Sequence, residues 1–131
     1  ILEGEARWEV VLDGFAVLDH ETGLVWEKSP DTTSRSFDSA VSYCFSKNVG
    51  GRRGWHLPTV SQLASLIDNT QVNPSLPSGH LFSNVQTQWY WSSTTVTYDG
   101  AWGVIFGDGS VGHTRAENDG YAWCVRGGQS R

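Results

Sequence analysis

Two amphipathic helical stripes lie between residues 36 and 69, and strand-like patterning on both sides of them leaves few folds open. From Phe37 the apolar residues fall at Phe37, Ala40, Val41, Cys44 and Phe45, the spacing of a helix with one buried face. Ser36 can cap this helix and Gly50-Gly51 can end it. The second stripe is Val60, Leu63, Ala64 and Ile67. It starts behind Pro58 at Thr59-x-x-Gln62, a capping-box pattern, and is expected to stop near Asp68-Asn69. Upstream, Trp8 to Leu12 and Phe15 to Leu18 read as strands joined by a tight Asp13-Gly14 turn. A second turn at Glu21-Thr22-Gly23 leads into Leu24-Val25-Trp26. Residues 69–88 carry Pro74, Pro77 and Gly79 without periodicity and read as a long loop. Strand patterns return at Trp89 to Trp91, Ala101 to Phe106, Ser110 to Thr114 and Tyr121 to Arg126, with Gly107-Asp108-Gly109 as a turn. Strands, two helices, a long loop and more strands make an α+β fold with a mainly antiparallel sheet.

Residues 1–131 fit one domain. Charged residues make up only 18%, while Gly (15) and Trp (7) are prominent, which suits short strands and loops better than long surface helices. Nine Lys and Arg stand against 14 Asp and Glu, a net charge of -5, so the basic surface a nucleic-acid binder needs is missing. The one dense basic run, Arg52-Arg53, sits between Gly51 and Gly54 and reads as a solvated loop. No apolar stretch approaches the ~18 residues of a membrane span, so membrane insertion is not expected. Ile1 to Arg7 lacks the basic and apolar regions of a secretion signal, and an exported protein would take its signal or carrier from outside these residues.

Residues that could carry chemistry are few and scattered. Cys44 and Cys124 are 80 positions apart, form no C-x-x-C pair and read as a disulfide or as buried thiols. His20, His56, His80 and His113 lack the spacing of a helical metal pair, so no metal site and no cofactor are expected. No nucleophile elbow or phosphate-binding loop occurs, and nothing brings two carboxylates together, so catalysis is not expected. Glu117-Asn118-Asp119 supplies the oxygen chemistry of a calcium site, though a solvated loop is the simpler reading. Trp26, Trp55, Trp91, Trp102 and Trp123 are expected in the core, since each indole can bury some ~200 Å², and Leu57, at an element boundary beside apolar runs, is expected there with them. Trp89 and Tyr98, on edges or loops, are better placed for ligand contact.

Several segments occur together in a recognisable order: Gly23-Leu24-Val25-Trp26-Glu27, Tyr43-Cys44, Gly54-Trp55-His56-Leu57-Pro58-Thr59, Leu66-Ile67-Asp68, Tyr90-Trp91-Ser92-Ser93-Thr94, Ala101-Trp102 and Cys124-Val125-Arg126-Gly127. Over nearly the whole chain this set resembles the Lcl C-terminal domain, the C-terminal domain family of bacterial collagen-like adhesins, with His56 standing where that family leads one to expect Arg. The resemblance implies a C-type lectin-like fold, a scaffold used for adhesion, glycan binding and phage or viral receptor recognition. It also implies kinship with the variable proteins of diversity-generating retroelements, whose C-terminal segment is diversified to change ligand. In folds of this kind a disulfide commonly joins the first helix to the last strand. This implies a Cys44 to Cys124 bridge if the protein matures outside the cytosol, and buried free thiols if it does not. The distantly similar formylglycine-generating oxidases need a closely placed reactive cysteine pair, which this chain lacks.

Residues 94–121 look like a display region, with small and polar side chains between aromatics. The expected ligand surface is Thr95, Thr97, Tyr98, Asp99, Ser110, His113, Thr114, Arg115, Asn118 and Asp119, because the strands from Trp89 to Arg126 bring their connecting loops within reach of one another. The reading is a non-enzymatic recognition domain, extracellular, on a cell surface or on a virion, whose partner is a protein or glycan on a cell surface. The alternative is a calcium- or glycan-binding adhesin module. Oligomeric state is left open.

Overall fold

The computed structural model describes residues 7–97 and 99–127. Its elements are strands β1 (Trp8–Val11), β2 (Ala16–Asp19) and β3 (Leu24–Glu27), helices α1 (Phe37–Phe45) and α2 (Val60–Ala64), then strands β4 (Trp89–Thr95), β5 (Ala101–Ile105), β6 (Ser110–Thr114) and β7 (Val125–Gly127). They form two antiparallel sheets, ordered β1-β2-β3-β7 and β4-β5-β6, so the fold is α+β.

In the four-stranded sheet, Val17, Trp26 and Val125 lie in register across β2, β3 and β7, and all three are fully buried. They share one apolar cluster with Leu63 of α2 and Leu66 just after it, Tyr90 and Val104 of the other sheet, and Phe106 and Trp123. Trp26, Phe82, Phe106 and Tyr90 each set a ring against Trp123 at centroid distances of 4.9 to 5.7 Å, so this indole is the hub of the core. The second cluster joins Ala40 and Cys44 of α1 to Trp55, Leu57, Trp91 and Ala101. Cys44 and Cys124 are bonded, with Cα atoms 5.3 Å apart, which ties α1 to the segment entering β7.

Local signals act as the sequence leads one to expect where they are self-contained. The Ser36 side chain accepts from the Ser39 amide at the start of α1, and Thr59 and Gln62 close a reciprocal capping box at the start of α2. Long-range contacts changed the rest. The helix expected to run to Asp68 ends at Ala64, because the Ser65 hydroxyl bonds the Gln62 carbonyl and Leu66 turns into the core. The Asp68 amide then bonds Ser75. Of the α1 stripe, Val41 is 39% and Phe45 80% exposed, since only the Ala40 and Cys44 face meets the strands. The expected two-residue turn at Asp13-Gly14 is a three-residue left-handed turn over Leu12–Gly14, with φ of 52°, 58° and 91°. It moves the start of β2 to Ala16 and leaves Phe15 outside. The last strand begins at Val125 rather than Tyr121, because Tyr121 bonds Trp91 and Cys124 bonds Glu27 as isolated contacts. Residues 69–88 hold no helix or strand, yet Leu76 and Phe82 are buried and Ser75 and Ser83 bond Phe106 and Lys28 through the backbone.

A buried ion pair anchors α1 to the four-stranded sheet. The Glu27 carboxylate accepts from Lys47 Nζ at 2.7 Å and from the Cys124 amide at 2.9 Å. Burial pushes the Glu27 carboxyl up, against the lowering effect of those two donors. Burial also pulls the Lys47 ammonium down, but its hydrogen bonds to Glu27 and to the Tyr43 hydroxyl more than offset this and leave it raised.

Candidate functional site

The end of the three-stranded sheet where β4 leaves and β6 ends is positioned by close backbone approaches. The register of β4 against β5 shifts between Trp91 and Thr95, and the Ser92 hydroxyl fills the irregularity by donating to the Trp102 carbonyl at 2.7 Å. Thr94 belongs to the scaffold, since its hydroxyl accepts from the Val60 amide at the start of α2. Beyond it the chain leaves the sheet, the Val96 amide bonds the Gly100 carbonyl, and Gly100 takes φ +125°. A Cβ there would lie 2.0 Å from the Thr114 carbonyl oxygen, so only glycine lets the β4–β5 loop rest on the end of β6.

The following segment, 115–120, is fastened from below. Arg35 and Gly120 exchange two backbone hydrogen bonds, and the Phe37 amide at the start of α1 bonds the Ala116 carbonyl. Gly120 lies directly on Trp89 and Trp91: a Cβ would meet Trp89 Cδ1 at 2.4 Å. The Trp91 indole donates to the Arg35 carbonyl at 2.9 Å, which locks the same junction. Above it the Asn118 side-chain amide donates to the Thr114 hydroxyl at 2.6 Å, and Arg115 and Glu117 form an exposed pair at 3.8 Å.

Between these two loops is an open depression of about 600 Å³ lined by Val96, Thr97, Asp99, His113, Thr114, Arg115 and Asn118. Six of its seven lining residues belong to the surface expected from sequence, and the seventh, Val96, sits between Thr95 and Thr97. Thr95 and Asp119 are exposed beside the depression without lining it. Ser110 is at the other end of β6, about 13 Å of extended chain from Thr114. Its amide is capped there by the Asp108 carboxylate. Tyr98 lies outside the described residues.

Two aromatic assignments change. Trp102, expected in the core with Trp55, Leu57 and Trp91, is only half-buried, because its cross-strand neighbour on the edge strand β6 is His113, whose ring covers it at 4.9 Å. Trp102 therefore supports the floor of the depression through His113. Trp89, expected as a contact residue, is packed instead, edge-on to Trp91 at 5.8 Å and against Gly103, where a Cβ would meet its ring at 2.6 Å. Alternation along β5 could have flagged Trp102, but only knowledge that β6 is an edge would have completed the inference.

Among the described residues no group of three or more His, Cys, Asp or Glu side chains is arranged to hold a metal ion. Glu117 faces Arg115, and Asn118 turns its amide nitrogen to Thr114.

The family model of the Lcl C-terminal domain matches residues 15–126, most of the chain. The protein belongs to the Lcl C-terminal domain family. Membership points to an adhesin-like or ligand-binding domain, and the matched span takes in every lining residue of the depression. A comparison with curated proteins finds no match.

Proposed function

We propose that this Lcl C-terminal domain is a non-enzymatic recognition module of C-type lectin-like fold, which holds a protein or glycan ligand of a cell surface in the depression between the 96–99 and 113–118 loops. The observation that carries this reading is the contrast between fixed backbone and uncommitted side chains at that place. Gly100, Gly120 and the Arg35–Gly120 bridge hold both loops, while Thr97 and Asp99 make no hydrogen bond or ion pair to the rest of the described residues. A rigid frame with uncommitted polar tips is what recognition loops need. Work outside the cytosol, on a cell surface or virion, fits the Cys44–Cys124 bond, since disulfides persist in oxidising compartments.

In this reading the surface tolerates exchange of its side chains, as in the variable proteins of diversity-generating retroelements. Sequencing the same locus in sibling genomes checks that part: substitutions clustered between Thr94 and Tyr121 support it, and an even spread along the chain refutes it. The calcium-dependent alternative rests on the side-chain oxygens of Glu117, Asn118 and Asp119, all exposed at or beside the depression. It predicts a rise in melting temperature on adding calcium that disappears in Asp119→Asn, whereas the main reading predicts no change. Binding itself is tested by probing arrays of cell-surface glycans and receptor ectodomains with the parent domain and with Thr97→Ala/Asp99→Ala/Arg115→Ala.

A further inference from the structure

A second cleft lies away from these loops. Helix α1 separates the two: its first turn touches Ala116 of the 115–120 segment, and beyond its last turn, about 13 Å further on, Lys47 enters the other cleft. One wall is the left-handed turn ending at Gly14 and Phe15, and the other is the 47–50 loop. The walls are pinned together, since a Cβ on Gly50 would lie 2.7 Å from the Leu12 Cβ. The floor is the Glu27–Lys47 pair, and the cleft measures about 380 Å³.

Three features of this cleft are not explained by folding. Phe15 is 61% exposed and lines it, although the turn could have carried a polar residue there without loss of any core contact. The Asn48 side-chain amide and the Ser83 hydroxyl line it and have no hydrogen-bond partner among the described residues. Lys47 offers three N–H donors, of which Glu27 and Tyr43 take two, so a donor in fixed orientation remains. An aromatic face beside a few convergent amide, hydroxyl and ammonium groups matches a ring that has one C–H face and a rim of hydroxyls.

We propose that the cleft between Phe15 and Asn48 is a second binding site, for a single neutral pyranose ring stacked on Phe15 with its hydroxyls on Asn48, Ser83 and Lys47. The size suits one ring rather than an extended chain, since it lies near the lower end of the ~300–1,000 Å³ typical of small-molecule clefts. The Glu27–Lys47 pair leaves the floor without net charge, so the floor itself does not call for an anionic sugar. Lys47 is already neutralised at 2.7 Å by Glu27, so an anionic substituent would meet that carboxylate as well as the ammonium. Lys28 at the rim is the remaining cation, which makes an acidic sugar the necessary counter-test. This site stands or falls independently of the loop surface.

The experiment is amide-detected NMR titration of the labelled protein with methyl glucoside, methyl galactoside and methyl mannoside, and separately with methyl glucuronide. The expected result is saturable shifts at Gly14, Phe15, Asn48, Gly50 and Ser83 with at least one neutral glycoside. Phe15→Ser, an exposed position, should weaken that binding by about tenfold or more, while Val72→Ala, exposed and lining neither cleft, leaves it unchanged. The proposal is overturned if no neutral glycoside gives saturable shifts there, if only the glucuronide binds, or if a correctly folded Phe15→Ser protein binds like the parent.

Discussion

Gly103 of β5 and Gly120 of the segment after β6 let the rings of Trp89 and Trp91 lie directly on backbone, whereas at the loop end of the three-stranded sheet Thr97 and Asp99 make no polar contact with the rest of the described chain. The two regions adjoin, since the 96–99 loop leaves directly from β4 and returns through Gly100 into β5. One holds a backbone geometry that no other residue type could hold, and the other holds side chains that could be exchanged. The difference shows how a small fold can be strict about where its loops begin and permissive about what they carry.

The largest expected effect comes from breaking the interior. Trp91→Ala removes a fully buried indole and its bond to Arg35, and is expected to lower stability by about 3 to 5 kcal/mol, measured by denaturant unfolding. A variant that unfolds like the parent would place the rigidity elsewhere. Replacing Cys44 and Cys124 by alanine together releases a constraint across 80 residues and is expected to cost on the order of 4 kcal/mol. Because the bond joins α1 to the entry of β7, the loss should appear in global unfolding rather than at the loop end alone.

Gly100→Ala tests the seam between the two regions. The new methyl would collide with the Thr114 carbonyl at a backbone angle that L side chains avoid, so the loop must lift from β6. The expected cost is about 1 to 3 kcal/mol, together with a loss of ligand binding larger than the stability change explains. Equal loss of both would mean that loop and sheet are one unit.

The smallest effect is a pH dependence outside both regions, which calibrates them. Burial lowers the pKa of His80, and its Nδ1 accepts the Phe82 amide, so the folded state requires the neutral ring. The unfolded chain binds the proton more readily. Stability is therefore fully present above an ordinary histidine value of about 6.5 and falls as pH drops through the lower folded value, by an amount near the ~1 kcal/mol of one hydrogen bond. His80→Gln should flatten that part of the profile in thermal melts between mildly acidic and neutral pH.

What could be foreseen from sequence follows the range of the forces involved. The Ser36 cap, the Thr59–Gln62 box and the β5–β6 hairpin each depend on residues within a few positions, and all three are present. The length of α2, the exposure of Phe45 and the half-burial of Trp102 depend on which element lies opposite, which periodicity does not report. The pairing of Cys44 with Cys124 came from resemblance, since spacing alone left free thiols open. At the candidate site, the structure gathers Thr97, Asp99, His113, Thr114, Arg115 and Asn118 around one depression because β-hairpin ends converge. Ser110 separates from them because a strand of five residues carries its two termini to opposite ends of the sheet. The cleft beside Phe15 had no sequence signal at all. It is formed by a turn, a strand end and a loop far apart in the chain.

The proposed recognition depends most on the independence of the loop surface from the fold. Its direct measurement compares Thr97→Ala/Asp99→Ala/Arg115→Ala with the parent, recording melting temperature and binding to whichever glycan or ectodomain the parent captures on an array. At roughly 0.5 kcal/mol or less for each of the three surface positions, the expected result is a melting temperature within about 6 °C of the parent and binding reduced to background. Unchanged binding by an intact fold, or collapse of the fold, would contradict it.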